Sequence, residues 1–340
     1  MVIAAVLVAT ATLVAAPAEA GRATCGLTVT ADYRLRSNLH CSGTAITVQV
    51  DDPGQPVTLD LGGHSLTGDG TGSGVYVSAE MGGTVVVRNG SIRAFDSAVG
   101  GSGIAYLTFE RLTLRDNGVW LGRGPLEVLA LTVERSRIVD SGVSGAYTES
   151  TLTVRRSEFV RSGIDSPGET YTNVYDSSFV GGGVRTGIAA NVVAERNTFR
   201  QCDVGIDALD SWPFSATIVR DNQFVACRIG MRLDVAAAGS GPNGVTIANN
   251  EFRRNAENGL TFTVWGPYGE IAITGNRAVA NGGTGIVGTG AGVVTVTGNT
   301  AVRNGGHGID VAEVIDGGGN VARRNATPPQ CIGVICTAGR

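Results

Sequence analysis

The sequence predicts an all-β chain wound into one solenoid of parallel strands, with about 11–12 coils and capped ends. Three observations predict it. First, one unit recurs in fixed order: apolar alternation, an Asn, a small apolar pair, a polar turn, then Gly and a large aliphatic. Ile218-Val219-Arg220-Asp221-Asn222-Gln223-Phe224 with Ile229-Gly230-Met231 is one copy, and Ile247-Ala248-Asn249-Asn250-Glu251-Phe252 with Asn258-Gly259-Leu260 is the next. Second, the local signals are strand and turn. Short runs alternate with period two, and Gly is 51 of 340 residues, about twice the usual share. Glycine is expected to supply the positive φ of the corners. Third, the Asn slot acts as a ruler. It falls at Asn197, Asn222, Asn250, Asn276, Asn299 and Asn320, and earlier units fill it with Ser177, Ser157 and Ser136. Two residues later sits an apolar anchor such as Phe159, Phe179, Phe199, Phe224 or Phe252.

A sandwich would join antiparallel neighbours through tight hairpins. Here each piece of the unit returns one unit later, so stacking like on like gives parallel ladders about 4.8 Å apart. A buried corner Asn must satisfy a carbonyl and an amide, and an identical Asn one coil away does both. A dozen coils make a rod on the order of 55–60 Å long.

Residues 1–20 are apolar and end in Ala18-Glu19-Ala20, an export-signal cleavage pattern. They predict a secreted protein, with no stable membrane insertion after cleavage. Residues 21–56 read as an N-terminal cap and first strands, residues 57–325 as the helix of coils, and residues 326–340 as a C-terminal cap. Six cysteines fall in three near pairs: Cys25/Cys41, Cys202/Cys227 and Cys331/Cys336. An even count in an exported chain favours disulfides. The end pairs would pin the caps. The middle pair follows Phe199 and Phe224 at equal distance, so its members stack in adjacent coils, either bridged or as buried free thiols. Three connections look longer than the others: Asp207 to Thr217, Leu233 to Val245 and Val264 to Glu270. They carry Trp212, Trp265 and Tyr268. Net charge is -4 without charge blocks. With no basic stripe interleaved with aromatics, no nucleic-acid partner is expected. A monomer is favoured.

The unit V-x-I-x-x-N-x-F with its later G-I, from Val57 to about Asn325, resembles the right-handed parallel β-helix repeat of the pectate-lyase-like superfamily. The resemblance implies a single-stranded right-handed parallel β-helix. It implies no single activity, because that fold hosts lyases, hydrolases, epimerases, copper-delivery helpers and adhesins.

The residue after each Gly-aliphatic pair points outward, and four successive coils read Asp165, Arg185, Asp207 and Arg232. Asp234 shares their face. The resemblance suggests one use for them. A β-helix lyase or epimerase neutralises a uronate carboxylate, sometimes through Ca²⁺, and a basic residue takes the C5 proton. Arg185, Asp207 and Arg232 are then the candidate catalytic residues. Asp165, Trp212, Asp234, Trp265 and Tyr268 are candidate substrate-binding residues. The plainer reading is a solvated ladder of opposite charges. Gly306-His307-Gly308 matches part of a polygalacturonase motif, but the mid-helix Asp pair and the Lys that should accompany it are absent. The alginate-epimerase Tyr and Asp-Pro-His set is absent too. Three scattered His argue against copper. The sequence therefore favours a secreted protein that binds polysaccharide along its exposed sheet over a lyase acting on uronic-acid polymers, and leaves enzyme or module open.

Overall fold

The structure is a computed structural model that describes residues 23–338 apart from 121–125, 145–149, 167, 169, 188–190, 211–216, 237–243 and 266–269. The leader at 1–20 lies outside the described residues, as do Trp212 and Tyr268. Among the described residues every regular element is a strand, 35 segments in all, and the pairings between coils are parallel. The chain makes about 12 turns. Each turn contributes one strand to each of three ladders.

Ladder I holds the Gly-aliphatic strands. Its inward column runs Val143, Ile164, Val184, Ile206, Met231, Leu260, Ile286, Ile309 in direct register. Ladder II holds the alternating strands, with Val133, Val154, Val174, Ala194, Val219, Ile247, Ile273 and Val296 stacked inward. Ladder III holds the anchors, Ile138 through Phe159, Phe179, Phe199, Phe224 and Phe252 to Ala278. All these side chains are buried and share one continuous core. Their period-two alternation leaves the other residues outward. The Phe rings stack face to face with centroids 4.6, 4.9, 5.0 and 4.9 Å apart, which is the spacing of the strands that carry them.

The corner between ladders II and III carries the Asn slot. Asn222 donates its backbone N–H and its Nδ2 to Asn250 Oδ1, both at 3.0 Å, and Nδ2 also reaches Ala194 O at 2.8 Å. The same bonds pass from Asn250 to Asn276 and on to Asn299. Earlier coils use Ser, whose Oγ accepts the N–H of the preceding coil.

A second polar stack occupies the corner between ladders III and I, five residues further on. Asn255, Asn281, Asn304 and Asn325 repeat the pattern with backbone N–H to Oδ1 distances of 3.0, 3.0 and 2.9 Å. Ser141 and Ser162 fill the slot earlier. Cys202 and Cys227 fill it in the middle and are joined as a disulfide, so the free-thiol alternative is set aside. At the far end Gln330 Oε1 accepts the N–H and Nδ2 of Asn325, both at 2.9 Å, so a side chain terminates the stack.

The end pairs are bridged as well, Cys25 to Cys41 with Cα atoms 5.6 Å apart and Cys331 to Cys336 with Cα atoms 6.1 Å apart. The first of them is more than a clasp on a surface cap. Cys25 is exposed, but Cys41 is buried and belongs to the continuous core. Its backbone N–H donates to Thr67 O of the next coil at 2.9 Å, directly after the ladder pair Leu39 and Leu66. Cys41 is therefore a core residue of the first coil, and the bridge fastens the outer segment to the stack itself.

Two further expectations are corrected. Glycine supplies the corner φ only in part, as at Gly275 (66°), Gly298 (64°) and Gly319 (70°). The residue before each polar slot has positive φ and is mostly not Gly, as at Arg135 (49°), Arg156 (50°), Asp140 (49°) and Arg161 (47°). The left-handed cost of roughly 1–2 kcal/mol per residue is offset by the buried bonds that follow it. The glycines opening ladder I serve close approach instead. A Cβ on Gly230 would lie 2.6 Å from Phe252 Cδ1 and 3.0 Å from Asn255 Nδ2, with Gly259 O closer still. The long connections also begin later than expected. Residues 207–210, 233–236 and 264–265 are strand, because Asp207–Asp210 pairs with Arg232–Val235 and Ala236 with Trp265.

Candidate functional site

Ladder I presents its outward side chains beside the corner whose connections vary most in length. Direct register places Ser144, Asp165, Arg185, Asp207, Arg232 and Thr261 one above another. Asp165 to Arg232 spans three inter-coil steps, about 14 Å. The next outward position, two residues on, stacks Asp234 on Thr263.

The column is not a uniform charge ladder. Asp207 and Arg232 form a two-pronged pair: Nε donates to Oδ1 at 2.7 Å and Nη2 donates to Oδ2. The Asp207 side chain is only 11% exposed and that of Arg232 is 43% exposed. Its hydrogen bonds to Asp207 raise the Arg232 pKa further above the ordinary guanidinium value, against the opposing effect of burial. Arg185, one coil below, is exposed and has neither ion pair nor hydrogen bond among the described residues. Asp165 below it is exposed and equally unpaired among them. The face therefore offers a free guanidinium and a free carboxylate, among the described residues, beside a closed ion pair.

Trp265 ends its ladder I strand and is 63% exposed. Its indole N–H donates to Asp234 Oδ1 of the preceding coil at 2.8 Å. That bond fixes one edge of the ring and leaves the rest of it in solvent. The Asp234 carboxylate is thus occupied in orienting an aromatic. Sequence placed both residues near one face. Their direct bond was not legible, because Trp265 was assigned to a loop rather than to the strand above Ala236.

Elsewhere the surface charges behave as a solvated ladder. Arg228 bridges Asp203 on one coil and Glu257 on the next, and Arg196 and Asp176 pair likewise. Such exposed pairs are screened by solvent and contribute little to stability. His307 is half-buried, with Nδ1 2.8 Å from Pro329 O, so it braces the C-terminal segment. Among the described residues no group of three or more His, Cys, Asp or Glu is placed to hold a metal ion.

No curated protein sequence matches the chain. Among solved structures it resembles the periplasmic alginate epimerase AlgG at 14% identity, covering 90% of this chain and 75% of that one with a TM-score of 0.46. It also resembles the mannuronan C-5 epimerase AlgE6 A-module of Azotobacter vinelandii at 12% identity, covering 91% and 89%, with a TM-score of 0.36. A third is the catalytic unit of an alpha-1,3-glucanase from Streptomyces thermodiastaticus, at 14% identity over 85% and 61%, with a TM-score of 0.34. Identities this low concern the fold alone. The family model described as right handed beta helix region matches residues 101–268 and 170–325. Together with the parallel coils described above, that match shows that the chain belongs to the right-handed β-helix family.

Proposed function

We propose that this is an exported β-helix protein that holds an extended polysaccharide against the outward face of ladder I. The observation that carries the reading is Arg185, an exposed guanidinium left without a protein partner among the described residues, in a column where Asp207 and Arg232 satisfy each other. A free guanidinium offers five donors in a fixed fork, suited to a sugar carboxylate or to vicinal hydroxyls. Asp165 adds an acceptor one coil away, and the ring of Trp265 supplies an apolar platform for a sugar face. The equal rise of the coils favours a linear ligand lying along the rod. Three disulfides fit an oxidising, non-cytoplasmic compartment.

The lyase reading needs Asp207 or Arg232 free to exchange protons or hold a cation. Their mutual pairing supports holding over turnover. The two readings separate in one experiment. Polygalacturonate, alginate and glycosaminoglycans are offered with Ca²⁺, and both binding and the ultraviolet absorbance of unsaturated product are followed. We expect binding without product, weakened about tenfold or more by Arg185→Ala and reduced by Trp265→Ala. Unchanged affinity in both variants would overturn the site. Product formation abolished by Arg185→Ala or Arg232→Ala would establish the enzyme.

A further inference from the structure

A second surface offers binding chemistry independent of ladder I. The corner between ladders II and III carries a shallow groove of about 680 Å³, lined on four of its coils by Arg111, Arg135, Arg156 and Arg196. These arginines stand immediately before the polar slot, and their positive φ (52°, 49°, 50° and 56°) turns them outward at the bend. Asp176 holds the same position in the coil between Arg156 and Arg196. With Arg137, the lining has five guanidinium groups against two carboxylates, Glu158 and Asp176.

The arginines differ in how fully they are engaged. Arg196 is bound to Asp176 at 2.7 Å and to Glu195 at 3.0 Å. Arg137 is 3.0 Å from Glu158, and Arg111 is 2.8 Å from Glu110. Arg135 and Arg156 stand apart. Each lies 3.7 Å from Glu134, and Arg135 lies 4.0 Å from Glu110, beyond hydrogen-bond reach. Neither donates a hydrogen bond to any described residue. Their side chains are 48% and 60% exposed. Two guanidinium forks on adjacent coils, about 4.8 Å apart, therefore keep their donors free at the centre of the groove.

We propose that this groove is a binding site for an acidic polysaccharide, its carboxylate or sulfate groups held by Arg135 and Arg156. Thr113, Ser178 and Thr198 line the ladder III side and offer hydroxyls to a sugar chain. Among the described residues no aromatic side chain lines the groove, so they supply no stacking platform of the kind a single-stranded nucleic acid needs. The site does not depend on the ladder I reading, because the two lie on different faces of the coil.

The test uses the full chain and measures affinity for heparin, for polygalacturonate and for oligo-dT at low and at physiological salt. Heparin reports sulfate and polygalacturonate reports carboxylate. We expect one of the two polysaccharides to bind in a salt-sensitive manner. The double variant Arg135→Asn with Arg156→Asn should weaken that binding about tenfold or more. Asn tolerates the left-handed bend, so the melting temperature should hold. Glu134→Gln, which removes the carboxylate nearest both arginines, should tighten binding by a few fold. Arg254→Asn, at an exposed left-handed bend outside both sites, should leave this salt-sensitive affinity unchanged, which separates the groove from general surface charge. Absence of binding to either polysaccharide, equal affinity in the double variant, or preference for oligo-dT would overturn the proposal.

Discussion

Asn250 shows how much one side chain carries in this fold. Its Oδ1 accepts both the backbone N–H and the Nδ2 of Asn222, and its own Nδ2 reaches Val219 O at 2.8 Å. Asn250→Ala leaves two buried donors of Asn222 unmatched, and each such donor costs about 1–3 kcal/mol. We expect a loss of about 3 kcal/mol in urea unfolding. Asn250→Ser should cost roughly half as much, because a Ser Oγ in this slot still accepts the N–H below it, as Ser177 does for Ser157. A Ser variant no more stable than the Ala variant would show that the amide, not the N–H acceptor, dominates. The Asn column was legible because the same letter recurs at the same place. The charge column was legible for the same reason, down to the order Asp165, Arg185, Asp207, Arg232. What was not legible is which of them pair. Asp207 closes onto Arg232 above it rather than Arg185 below, and that choice depends on side-chain direction, which spacing does not encode.

The corner is the element where sequence reading and structure part most. The second polar stack has its own signal in the five-residue offset of Asn250 to Asn255, Asn276 to Asn281 and Asn299 to Asn304. It was hidden because earlier coils fill the slot with Ser141, Ser162, Cys202 and Cys227, four positions of mixed chemistry. The positive φ of the other corners was missed for a related reason. Arg, Asp and Ala at bends carry no sequence mark of strain, and only the bonds of the following polar residue stabilise them. The disulfide within this stack can be weighed. Cys202 and Cys227 are 25 residues apart, so their bond removes about 3–4 kcal/mol of chain entropy from the unfolded state in the loop-closure picture. The double variant Cys202→Ser with Cys227→Ser should lose about that much and keep its coils, because Ser141 and Ser162 occupy equivalent slots with the N–H of Ser141 on Ser162 Oγ at 3.0 Å. A collapse of far-ultraviolet circular dichroism in the double variant would show that the bond defines the stack rather than reinforcing it.

Across the whole molecule, the ends decide how a rod of like strands stays separate from its neighbours. At the N-terminal end the bridge to Cys41 reaches into the core, so that end is anchored from within. Two-residue strands finish the ladders at the other end, Cys331–Ile332 on ladder I and Cys336–Thr337 on ladder III, and short edges resist further pairing. Asp316 ties this segment down by accepting the N–H of Ile335 at 2.8 Å and of Gly318 at 2.9 Å. Those bonds, the Ile335 one foremost, hold its carboxyl below the ordinary 3.8. A lowered folded value means that the tie is fully present above 3.8 and is lost as pH falls through the lowered one. Pepsin should therefore spare the region around Ile335 near pH 4 and cut it only at stronger acidity, whereas Asp316→Asn should be cut at both. Equal cleavage of the two proteins near pH 4 would contradict the assignment. The repeated handover along the first Asn column has a further consequence. Residues 250–275 form a removable cassette: excising them sets Asn222 against Asn276 across the joint, with the disulfides and both ends intact. Length is then an adjustable property of this molecule, changed one lap at a time.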